Sequence, residues 1–261
     1  MPLSPELKLI PGIILKFTRA GLTFELLPAL FGGGGRDLVE DARRLLLEYK
    51  NEISVEISGI DNIPDGGILA FNHPNNDILI PGLLSLIVDI KDFKNRDVSL
   101  LMASEFILLA NLNEKVALPG SIKFIERFHG IYSKNIISVP TVSTRKDFET
   151  GRAVAARKAV ERLESGQIVA ISPEGHIEID NIISPVDTFH KGSGALARLA
   201  AKMGKPVVPV AFWEERKGNV KVRIGELFWA NGSDDLETVR NMMERVSLML
   251  PDGLRGPFKS S

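Results

Sequence analysis

Two side chains able to handle a proton, His73 and Asp77, stand four positions apart in "AFNHPNNDILIPGLL", Ala70 to Leu84. If a helix begins near Pro74 or Asn75, residues at that spacing share a face, and the Asp77 carboxylate can hold the His73 imidazole. An imidazole held in this way is a general base. The plainer reading is a turn at the end of a core strand, because Asn, Pro and Asp are the residues that turns and helix N-termini select. An isolated pair is compatible with both.

The elements that must position such a pair alternate along the chain. "RDLVEDARRLLLEY" has helical periodicity, "EISVEISGI" alternates as a strand does, and "ILAF" before Asn72 is short, apolar and buried. The pair therefore lies where a core strand ends and a helix begins, a usual address for sites in α/β folds. Further on, "SLLMASEFILLANL" and "LPGSIKFIERFHGIY" are expected to be helical in large part, although periodicity alone does not settle the first. "IISVP", "QIVAIS", "VVPVAF" and "VKVRIG" read as strands. "TGRAVAARKAVERLESG", "KGSGALARLAAKMGKP" and "DDLETVRNMMERVSLML" read as helices, the first two closed by Gly166 and Gly204. This alternation predicts a single α/β domain over residues 36–261, with a central, mostly buried sheet flanked by helices. Ahead of it, residues 1–35 form an N-terminal helical segment ending in the joint Gly32 to Gly35.

Composition narrows the function. The 32 basic and 33 acidic residues leave a formal charge of −1, which gives no polyelectrolyte signal for nucleic acid. Cysteine is absent, so there is no thiolate zinc site and no cysteine nucleophile. His176, Glu178 and Asp180 make a poor metal set without a second imidazole at ligand spacing, and no metal is expected. His129 reads as a helix-end residue, and Arg152, Arg157, Lys158 and Arg162 as a solvated helix face. In "LKLIPGIILKFTRAGLTFELLPALF", apolar residues surround a few basic ones, and no apolar run reaches the length that a spanning helix needs. Two readings of this segment stand side by side: a membrane-interfacial helix pair, and an arm packed on the domain.

Four blocks occur in order: "NHPNND" at Asn72 to Asp77, "STRKD" at Ser143 to Asp147, "SPEG" at Ser172 to Gly175, and "VVPVAF" at Val207 to Phe212. Together with "FHKGSGALA", they resemble the glycerolipid acyltransferase family, which includes the glycerol-3-phosphate and 1-acylglycerol-3-phosphate acyltransferases. The resemblance implies that His73 is the base and Asp77 its partner. It differs in that the family places four residues between these two, and this chain three. The family's third block continues Glu-Gly-Thr-Arg, whereas this chain reads Glu174, Gly175, His176, Ile177, Glu178. For the acceptor's phosphate the resemblance implies Arg145 and the region of Glu174 and Gly175. Lys191 and Lys146 are the nearest cations to replace the missing arginine. For Glu174 three roles stay open: capping its turn, binding acceptor hydroxyls, or orienting the first block.

The expected function is an O-acyltransferase that moves a fatty acyl group from acyl-CoA or acyl-carrier protein to a hydroxyl of a glycerol phosphate or lysolipid, with no other cofactor. A thioester is already activated, so a base for the hydroxyl proton and donors for the oxyanion suffice. The turn after Phe71 is the expected source of those donors. The place of action would be cytoplasmic and peripheral to a membrane. The alternative is a non-catalytic lipid-binding relative or a thioester hydrolase.

Overall fold

The computed structural model describes residues 28–30, 32, 34–105, 107–111, 114–117 and 121–259. In chain order the elements are helix α1 (Leu38–Tyr49), strands β1 (Ser54–Ser58) and β2 (Gly67–Phe71), helix α2 (Asn76–Lys94) and strands β3 (Val98–Ala103), β4 (Ile107–Asn111) and β5 (Glu114–Ala117). Helix α3 (Ser121–Ile131), strand β6 (Ile136–Val139), helix α4 (Phe148–Glu164), strand β7 (Ile168–Ile171) and helix α5 (Lys191–Lys202) follow. Strands β8 (Val207–Arg216) and β9 (Asn219–Ile224) and helix α6 (Asp235–Ser247) complete the series. Seven strands are hydrogen-bonded in the order β1-β9-β8-β2-β7-β3-β6, and β4 pairs with β5 in a separate antiparallel ribbon. All the pairings given for the seven are parallel except β8 with β9. This is the α/β class that the alternation of strands and helices implied.

The described residues gather into two compact units, one from Tyr49–Ser99 with Ala159–Ser261, the other from Met1–Glu48 with Leu100–Lys158. In the first, β2 and β7 are buried along their whole length, as are Val207 to Phe212 of β8. Parallel strands covered on both faces need such continuous apolar runs, and "GILAF", "IVAI" and "VVPVAF" supply them. Helix α2 covers one face so closely that a Cβ at Gly82 would come within 2.8 Å of the Phe212 ring. Pro209, three residues before Phe212 and so on the other face, and Met249, just beyond α6, both crowd the place where Gly225 would carry a Cβ.

In the second unit, Arg36 donates from Nε and Nη2 to the Asp41 carboxylate at 2.7 and 2.6 Å, and the Tyr132 hydroxyl donates to the same carboxylate at 2.7 Å. The start of α1 is thereby tied to the end of α3. One expectation is corrected here: "SLLMASEFILLANL" forms β3 and β4, not a helix. The run was too short and too uniformly apolar to carry a period, and the ladder between Leu100–Ala103 and Ile136–Val139 decides it. His129 lies in the last turn of α3, as expected. The N-terminal helical segment falls almost wholly outside the described residues. Among those that are described, no helix is long and apolar enough to cross a membrane.

Candidate active site

Strands β8, β2 and β7 lie side by side and parallel, so the turns that follow β2 and β7 leave the sheet at the same edge. Phe71, the last residue of β2, pairs with Val210. Immediately beyond, the buried Asn72 extends the ladder with its side chain: its Oδ1 accepts from Phe212 N–H at 2.8 Å, and its Nδ2 donates to the Phe212 carbonyl at 3.0 Å. The next residue is His73.

The loop after β7, from Ser172 to His190, holds the backbone of His73 on both sides. Glu174 is fully buried, and its Oε1 accepts from His73 N–H at 3.2 Å while Oε2 accepts from Ser184 N–H at 2.9 Å. Four residues on, the backbone N–H of Glu178 donates to the His73 carbonyl at 2.8 Å. Asn181 Oδ1 accepts from Asn75 N–H at 2.8 Å. Asp180 and Asn181 reach this place through left-handed backbone, at φ of 56° and 58°, which Asn and Asp tolerate better than other side chains. Of the three roles open for Glu174, the geometry shows orientation of the first block.

The ring of His73 is half-buried. Its Nδ1 lies 3.2 Å from the Pro74 carbonyl, and because a carbonyl can only accept, Nδ1 carries the proton and Nε2 presents its lone pair. Burial pulls its pKa below the ordinary histidine value, with His176 acting the same way, while the Pro74 bond and the charge of Glu174 act against them. The result is a neutral imidazole whose free nitrogen is ready to accept a proton.

Asp77 stands otherwise than the spacing suggested. Helix α2 starts at Asn76 with Asn75 as its cap, whose Oδ1 accepts from Asp77 N–H at 3.0 Å and Ile78 N–H at 3.2 Å. His73 therefore precedes the helix by two residues before the cap, and the same-face rule of a helix does not apply to the pair. The acceptor shown for Nδ1 is the Pro74 carbonyl, and Asp77 is an exposed residue of the first turn. Oxyanion donors are expected from the same turn. The N–H groups of His73, Asn75, Asp77 and Ile78 are all bonded, and Pro74 has none.

The other expected substrate contacts are spread over both units. Gly175 has φ of +66°, and a Cβ there would fall 2.0 Å from His190 Cδ2, so its role in the structure is the tight turn itself. Lys191 is exposed at the first position of α5, where its charge helps to lower the pKa of Asp234, the cap of α6. Arg145 belongs to the unit that does not contain His73. Its Nε and Nη2 grip Asp147 at 2.8 and 2.6 Å, and Nη1 donates to Ser104 Oγ at 2.7 Å and to Glu105 at 3.0 Å. A guanidinium so surrounded by carboxylates is held by the protein, and an acceptor phosphate would have to compete with Asp147 and Glu105 for it. Glu105 is in turn buried, and against that burial the bonds it accepts from the Ser104 hydroxyl and the backbone of Thr141 and Val142 lower its pKa.

The spacing did not point to Asn72 and Glu178 as parts of the site. Glu178 stands between Ile177 and Ile179, and the two isoleucines are exposed while the acid is buried. That inversion of the usual pattern is visible only once the loop is folded. Among the described residues, no three acidic or histidine side chains are placed to hold a metal ion.

Residues 54–213, which carry this sheet and the turn with His73, match the family model described as Acyltransferase. The chain belongs to that family. Among solved structures, it is similar to the crystal structure of the 1-acyl-sn-glycerophosphate (LPA) acyltransferase, PlsC, from Thermotoga maritima, at 20% identity. The match covers 92% of this chain and 91% of that one, with a TM-score of 0.50, and the likeness is one of fold. No curated protein matches the chain significantly.

Proposed function

We propose that this acyltransferase moves a fatty acyl group from a thioester, carried on coenzyme A or acyl-carrier protein, to a hydroxyl of a glycerolipid or lysophospholipid. His73 is the general base. The observation that carries this reading is the setting of its ring, half-buried at the end of β2 with Nδ1 3.2 Å from the Pro74 carbonyl, which favours the neutral tautomer with Nε2 unprotonated. The acceptor hydroxyl gives its proton to Nε2 as its oxygen attacks the thioester carbonyl. The tetrahedral intermediate collapses to an ester, and the departing thiolate takes the proton back. No covalent acyl-enzyme is needed, and base assistance supplies about 10² to 10⁴-fold. Asp77, an exposed residue of the first turn of α2, is the partner proposed for the imidazolium. Lys191 and the backbone at Gly175 remain the cation and the turn offered to a polar acceptor headgroup.

The test is transfer of labelled long-chain acyl groups from acyl-CoA to a panel of lysolipids, by the wild type and His73→Ala. Label in the product lipid, reduced at least about 10²-fold in the variant, is the expected outcome. Label appearing only as free acid would make the protein a thioester hydrolase. Lipid binding with no turnover would make it a non-catalytic relative.

A further inference from the structure

We propose that Glu178 is a positioning residue for the reaction, holding the Asn72–His73 turn through its carboxyl and its backbone together. This rests on the reading of His73 as base. Three observations carry it. The backbone N–H of Glu178 donates to the His73 carbonyl at 2.8 Å, the bond opposite the one that Glu174 makes to His73 N–H. Its Oε2 lies 3.4 Å from Asn72 Nδ2, whose other hydrogen goes to Phe212, so the acid provides the second acceptor of a buried amide. Its remaining oxygen, Oε1, is buried with no hydrogen-bond partner among the described residues. A carboxylate held in that way would carry a desolvated, unpaired charge beside a second acid, whereas a neutral carboxylic acid carries none.

The titratable neighbour that faces Glu178 is Glu174, on the same loop. From the turn after β2 it meets Asn72 and the main chain of His73, and His176 acts on His73 from the loop. Burial first, and then the charge of Glu174, push the Glu178 carboxyl up to about 9. It is therefore protonated where the enzyme would work. On ionisation two charges would sit at one clamp, and the turn carrying His73 would be driven from its place.

Glu178→Gln and Glu178→Ala separate this role from simple packing. Gln keeps a neutral acceptor for Asn72 and cannot ionise. With long-chain acyl-CoA and the best lysolipid as substrates, Glu178→Gln should keep kcat within about 3-fold of wild type at pH 7. Wild-type kcat should fall on the alkaline side as the raised Glu178 carboxyl ionises, and that fall should move upward or vanish in Glu178→Gln. Glu178→Ala should lose about 10 to 100-fold in kcat, with the acyl-donor KM little changed, because an orientation is lost and not a binding contact. If Glu178→Ala does not fold, the pH profile of Glu178→Gln decides. A profile of Glu178→Gln that superimposes on wild type overturns the proposal, as does full kcat in a folded Glu178→Ala. An active His73→Ala would instead overturn the identity of the base, so the two failures are told apart.

Discussion

At the scale of single residues, the proposed chemistry depends on which nitrogen of one ring is free. With Nδ1 taken by a neighbouring carbonyl and the ring partly withdrawn from water, His73 stays neutral to a lower pH than an ordinary histidine. The acid limb of kcat/KM should accordingly lie below pH 6.5, the histidine reference value. A limb at or above that value would show that the ring is not shielded as described. Arg145 gives the contrary kind of prediction. Its bonds to Asp147, Glu105 and Ser104 make it a clamp of its own unit, so Arg145→Ala removes the positive charge beside the buried Glu105. The expected cost is about 3 kcal/mol of stability, measured by urea unfolding, with little change in the preference between a lysolipid bearing a phosphate monoester and a neutral one. A changed preference with unchanged stability would return to Arg145 the role of anion reader.

At the scale of elements, the site is held by the ends of β2 and β7 and by the start of α2, and caps and glycines set how those ends meet. Asn75→Ala removes the side chain that accepts from Asp77 and Ile78 N–H, which should cost about 1 kcal/mol and loosen the first turn of α2. Because that turn adjoins His73, kcat should fall with stability in this variant. Gly194→Ala tests packing between helices and not the turn that carries His73. A Cβ there would meet the Asp235 carbonyl at 1.9 Å, where α5 and α6 touch. It should destabilise by about 1 to 3 kcal/mol while leaving the kcat of the folded fraction unchanged.

At the scale of the whole molecule, stability against pH reports two buried groups with opposite signs. His129, whose Nδ1 lies 2.8 Å from Ser138 Oγ, has its pKa lowered by burial to about 4. Between pH 6.5 and about 4 the unfolded chain binds a proton that the folded one does not, so stability is lost as pH falls through that window. Glu178 is raised, so the folded chain keeps a proton that the unfolded one has released. Its contribution is whole below about pH 4.5 and is lost as pH climbs towards 9. Urea midpoints should therefore decline less between pH 6.5 and 4 in His129→Gln, and less between pH 7 and 9 in Glu178→Gln. Curves parallel to wild type would contradict the assignments. For the proposed membrane role of Met1 to Phe31, liposome flotation of the full chain should exceed that of a chain beginning at Arg36. Equal flotation would leave the segment as a packed arm.

The sequence by itself determined the class of this fold and pointed to the address of its candidate site. Alternating periods and short apolar runs are local, and "GILAF" followed by "NHPNND" marks a buried strand ending in a turn whatever surrounds it. It also determined the family resemblance, carried by four blocks in order and upheld by the match over residues 54–213. Only the tertiary structure decided how those residues are used. The loop after β7 lies more than 90 residues beyond His73, yet its glutamates take both the N–H and the carbonyl of that residue. The same folding makes "SLLMASEFILLANL" two strands, withdraws Arg145 behind carboxylates, and turns Glu178 inward between two exposed isoleucines. Each of these outcomes depends on partners remote in sequence. Hydrogen bonding and burial are properties of what lies opposite a group, and no local pattern records that.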